Sequence, residues 1–116
     1  MTADERIEAL RDIIELREPI PVAIDRLRRF PWDSDAPLVT LTGNDLIRIL
    51  DGYLRGDLSN TDVEEWAEAL EGRDDIGYET HDDILKQTIF ELANPLLTTT
   101  LEPAQALRWK EAISGH

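Results

Sequence analysis

Four Thr-x-x-acid boxes punctuate the chain: Thr2 with Glu5, Thr42 with Asp45, Thr61 with Glu64, and Thr80 with Asp83. In such a box the hydroxyl accepts from an orphan amide of the first helical turn. The acid reaches back to the cap amide and faces the positive end of the dipole. Each box precedes a run of apolar residues with helical period, so this one feature predicts a protein built from short, capped helices.

After Thr2, the residues Ile7, Leu10, Ile13 and Ile14 share a face, and Pro19 predicts an end near Arg17 or Glu18. Pro21 suits the first turn of a second helix carrying Val22, Ile24, Leu27 and Phe30. After Thr42, Leu46, Ile49, Leu50, Tyr53 and Leu54 form a core-facing stripe, with Gly56 as the C-terminal cap. Val63, Trp66, Ala67 and Leu70 repeat the pattern until Gly72, which makes a helical hairpin with its predecessor. Ile84, Leu85, Ile89 and Leu92 mark a fifth helix ending at Asn94, and Pro103 opens a sixth with Leu107, Trp109 and Ile113. The expected architecture is all-α: a compact bundle or orthogonal array of about six short helices, one domain over residues 1–116. Residues 31–37 and the surroundings of Gly77 read as loops. The segment 38–41 reads as extended, a short strand or a packed linker, because no second run offers to pair with it.

Hydrophobic residues make up 41% of the chain, which separates it from a disordered acidic tail. Cysteine is absent, which excludes disulfides and thiolate metal sites and fits a cytoplasmic setting. The acidic start lacks the basic and apolar regions of a signal peptide. No apolar run approaches the ~18 residues that span a bilayer. No membrane association is expected.

Net charge is -13, and its distribution is uneven. Residues 57–83 carry 11 acids against Arg73 alone, a net of -10 from 1 minus 11. Such a field steers a basic partner or simply keeps a surface solvated. It opposes phosphate, so the cluster Arg26, Arg28 and Arg29 beside Phe30 and Trp32 does not read as a nucleic-acid site. Those arginines fit acids of this chain or of a second copy. Trp66 and Trp109 fall on stripes and read as core, whereas Trp32 stands in a proline-bounded loop and reads as an interface anchor.

The run from Asp51 to Asp62 is similar to the calcium loop of an EF-hand at Asp51, Gly56, Leu58, Ser59 and Asp62. Tyr53 and Arg55 occupy the third and fifth ligand positions, and a cation there opposes calcium. His81 beside Glu79, Asp82 and Asp83 lacks convincing ligand spacing and suits a helix start instead. His116 is terminal. Serine occurs only at 34, 59 and 114, and no second placed histidine completes a nucleophile and base pair. No catalytic residue, metal site or cofactor is therefore expected.

The hairpin pattern Leu50-x-x-x-Leu54-x-Gly56-x-Leu58-Ser59-x-x-Asp62-Val63-x-x-Trp66-Ala67, continuing through Leu70-Glu71-x-Arg73-x-Asp75-Ile76, resembles one found in small acidic bacterial proteins. Some of these resemble immunity proteins that neutralise a cognate toxin. The resemblance implies a bacterial, cytoplasmic, all-helical binding protein with no catalytic residues and leaves the partner unnamed, whereas the acidic charge points to a basic protein partner. The charge map places the footprint on Asp62, Glu64, Glu65, Glu68, Glu71, Asp74 and Asp75, with Trp32 as the aromatic anchor. A self-associating module using Arg26, Arg28 and Arg29, and a calcium-responsive regulator using 51–62, are the alternatives.

Overall fold

The computed structural model describes residues 3–79, 82–96 and 101–114. In order these form α1 (Ala3–Ile14), α2 (Ile20–Leu27), β1 (Val39–Leu41), α3 (Gly43–Arg55), α4 (Asn60–Leu70), β2 (Ile76–Tyr78), α5 (Asp82–Ala93) and α6 (Pro103–Ser114). The fold is mostly α, as the capped-helix pattern predicts. Among the described residues no helix is long and apolar enough to cross a membrane.

Local chemistry sets most of the boundaries. Thr42 closes a complete capping box with Asp45 at the start of α3. The third box is displaced from its expected place: Ser59, not Thr61, caps α4, and its partner is Asp62. Both registers satisfy the same spacing rule, and both bury Val63, Trp66, Ala67 and Leu70, so the stripe does not choose between them. The boxes at Thr2 and Thr80 lie outside the described residues.

Helix α1 stops at Ile14, short of the expected Arg17 or Glu18. Leu16 adopts a left-handed conformation with φ 54°. The amide of Arg17 donates to the Asp12 carbonyl at 2.9 Å and that of Leu16 to the Ile13 carbonyl at 3.4 Å. This is a Schellman ending that sequence reading assigns to glycine, here made by leucine. Gly56, with φ 86°, makes the same ending for α3.

Residues 76–78, expected as loop, form β2, which pairs in parallel with β1 in the register Val39 with Ile76, Thr40 with Gly77 and Leu41 with Tyr78. A Cβ on Gly77 would lie 3.2 Å from Pro37 Cβ, so glycine lets the strand approach the loop before β1. Helix α1 packs on α2 and β1, α2 on α4, α4 on α5, and α3 on α6. Trp66 sits fully buried in the core they share, and its indole N–H donates to the Ile13 carbonyl at 2.9 Å. Two faces differ from the expected stripes. In α2 the inward residues are Ile20, Ala23 and Leu27 while Val22 is exposed, and in α6 they are Ala106 and Ile113 while Leu107 is exposed.

Candidate functional site: a cleft between α2 and α4

Helix α4 buries its stripe against α5 and α2, so its acids are left at the flanks. Glu64 and Glu65 are half-buried and Glu68 is exposed. Glu65 and Glu68 line a cleft of about 540 Å³ whose other wall is α2. Ile24 and Leu27 of α2 and Ala69 of α4 supply apolar lining, and Asp25 of α2, paired at 3.2 Å with Arg28 at the end of that helix, also borders it. Trp32 lines the same cleft and is 49% exposed. The volume is within the range of sites that hold a small ligand or a side chain of a partner.

The loop that presents Trp32 is held by a buried ion triad. Arg73 donates to Asp75 through Nε at 2.9 Å and through a terminal nitrogen at 3.0 Å. Arg6 donates its Nε–H to the same carboxylate at 2.9 Å. Both arginines also reach the loop: each donates to the Pro31 carbonyl, and Arg6 to that of Asp33. The Asp74 amide donates to the Trp32 carbonyl at 3.1 Å. The Arg73 guanidinium carbon lies 5.0 Å from the Trp32 ring centroid, a cation–π contact.

Asp75 therefore leaves the expected acidic footprint. It is fully buried and committed to two arginines, because an unpaired carboxylate cannot be held inside. Asp62 is half-buried, and its carboxylate accepts the Ser59 amide as part of the α4 cap. Glu71 accepts from the Asn94 side chain at 3.2 Å. Asp74 is exposed, on the far side of Arg73 in sequence. Of the residues expected at a partner surface, the structure brings Trp32, Glu65 and Glu68 together in one cleft. The role of Arg73 beside them was not anticipated, and only its being the lone base of the acidic segment hinted at it.

Glu68 titrates above the ordinary carboxylate range. Partial burial is the leading cause, followed by repulsion from Glu64, Glu65 and Glu71. Among the described residues neither Glu65 nor Glu68 has a cationic partner. Arg28 and Arg73 line the same cleft, but each is paired with an aspartate, Asp25 and Asp75.

The other candidate sites are used for structure. Asp51 pairs with Lys110 of α6, Arg55 pairs with Asp57 at 3.1 Å, and Ser59 and Asp62 cap α4, so the calcium-loop positions already have partners. Among the described residues no group of three His, Cys, Asp or Glu side chains is placed to hold a metal. His81, the side chain of Asp82 and His116 lie outside the described residues, while Glu79 accepts the Gly43 amide at the start of α3. Arg26 pairs with Asp12 and Arg28 with Asp25, within this chain. Phe30 is buried and Trp109 packs partly buried against the core.

Comparison with protein-family models, curated proteins and solved structures returns no match to this chain.

Proposed function

We propose that this chain is a non-enzymatic binding protein that docks a basic protein partner on the acidic flank of α4 and the cleft beside it, in the manner of an immunity protein covering a cationic toxin. The observation that carries this reading is the meeting of a half-exposed tryptophan with Glu65 and Glu68, unpaired among the described residues, in one cleft. Aromatic anchors surrounded by complementary charge are what protein interfaces concentrate at their centres. Clustered carboxylates speed encounter with a basic surface and imitate the phosphates that a nuclease expects. The resemblance of the α3–α4 hairpin to acidic bacterial proteins points the same way, and the absence of cysteine suits a cytoplasmic partner.

Self-association through Arg26, Arg28 and Arg29 is less favoured, because Arg26 and Arg28 are already paired within the chain. The test is a pull-down from the native host lysate at ~0.15 M salt, comparing wild type with a folded E64K/E65K/E68K variant. A basic protein retained by wild type and lost by the variant, then bound by purified wild type with an affinity that falls as salt rises, supports the reading. A retained partner indifferent to charge reversal and to salt overturns it.

A further inference from the structure

Resting on that reading, we infer that the α2–α4 cleft accepts an arginine side chain of the partner, with its stem along Ile24, Leu27 and Ala69 and its guanidinium between Trp32 and the carboxylates of Glu65 and Glu68. The cleft combines three surfaces that arginine satisfies together. Its apolar lining suits a three-carbon stem. Glu65 and Glu68 are on successive turns of α4, three residues apart, so two carboxylates flank one opening and match a planar fork of N–H donors. Trp32 offers an indole at the same opening.

The chain already displays this recognition internally. Arg73 stacks its guanidinium 5.0 Å from the Trp32 centroid while forking onto Asp75 at 2.9 and 3.0 Å. Its side chain is only 2% exposed, and its charge is used by Asp75. Glu65 and Glu68, which have no cationic partner among the described residues, are left for an incoming cation. Lysine fits less well. Its ammonium is a compact, strongly hydrated point charge that neither stacks as a plane nor bridges two carboxylates in parallel.

Hexa-arginine and hexa-lysine peptides, equal in charge, are titrated calorimetrically into the wild-type protein at low salt, and into E65Q/E68Q, W32A and the charge-matched control E102Q/E111Q, just before and within α6. Circular dichroism establishes that each variant is folded, and the two glutamine pairs are conservative changes at exposed or half-buried positions. Hexa-arginine is expected to bind roughly fivefold to tenfold more tightly than hexa-lysine. That preference should vanish in W32A and E65Q/E68Q and persist in E102Q/E111Q. Equal binding of the two peptides, or equal losses in the cleft and control variants, overturns the arginine assignment while leaving general acidic docking intact. Binding of neither peptide overturns it too, and the lysate experiment with purified partner then decides separately whether a basic protein docks at all.

Discussion

Arg6 of α1 donates its Nε–H to Oδ2 of Asp75 at 2.9 Å, joining residues 69 positions apart through a carboxylate with no exposed surface. With Arg73 forked onto both of its oxygens, Asp75 is shared by two guanidinium groups and ties α1, the Trp32 loop and the approach to β2 at one point.

Removing that carboxylate strands the Arg73 charge inside the protein. Asp75→Ala is expected to cost about 3–5 kcal/mol, the range for breaking one partner out of a buried pair. Arg6→Ala should cost distinctly less, because Arg6 is partly exposed and Asp75 keeps Arg73. Urea denaturation of the two variants checks the order, and a D75A loss below about 1 kcal/mol would contradict a structural role for the triad.

The position of the α4 cap can be read from three alanine substitutions. Thr42→Ala and Ser59→Ala each remove a side chain that accepts a helix amide, and each should cost about 1 kcal/mol. Thr61→Ala, at an exposed position inside α4, should stay within about 0.5 kcal/mol. A reversed order for Ser59 and Thr61 in chemical denaturation would restore the Thr61 box.

Trp66→Phe tests the bond between the core and the end of α1. The substitution keeps an aromatic ring but leaves the Ile13 carbonyl without its indole donor and a void where the larger ring stood. The expected loss is about 2–4 kcal/mol. Thermal unfolding that moves by no more than the scatter of surface variants would mean that the bond is replaced.

Glu68 makes stability depend on pH in a defined direction. A carboxyl whose folded value is raised binds more protons in the native than in the unfolded state. Stability then falls as pH climbs from the ordinary carboxylate value through the raised one, and the penalty persists above it. Glu68→Gln should therefore match wild type near pH ~4 and melt higher than wild type near pH ~7, with added salt narrowing the gap. Melting curves across that range decide it, and a gap that shrinks as pH rises would reverse the sign.

The helices were legible because their signals are local. Thr42, Asp45 and Gly56 lie within one helix length and specify its two ends. The start of α4 was misplaced because Ser59 with Asp62 and Thr61 with Glu64 satisfy the same rule two residues apart. Strand β2 escaped because Ile76, Gly77 and Tyr78 are too few to show alternation, and the partner that makes them a strand lies 37 residues earlier at Val39 to Leu41 (76 minus 39). Asp75 is chemically indistinguishable in sequence from its neighbour Asp74, yet one is buried and the other exposed. What separates them is the convergence of Arg6 and Arg73. Trp32 and the α4 acids were each visible as candidates, but their shared cleft depends on how α2 packs on α4, which no local pattern encodes.

The parallel pairing of β1 with β2 also fixes when the chain can complete itself during synthesis. Parallel strands need a long crossover, and here that crossover is α3 and α4. The α3–α4 hairpin can close from nearby residues as it leaves the ribosome, whereas β1 must wait for residues 76–78 and the Trp32 loop for Asp75. A nascent chain halted before Asp75 thus carries every residue of the proposed cleft up to Arg73 but lacks the carboxylate that fixes its aromatic wall. The tryptophan wall of that cleft is therefore completed late in translation, with one aspartate, and not gradually as the helices accumulate.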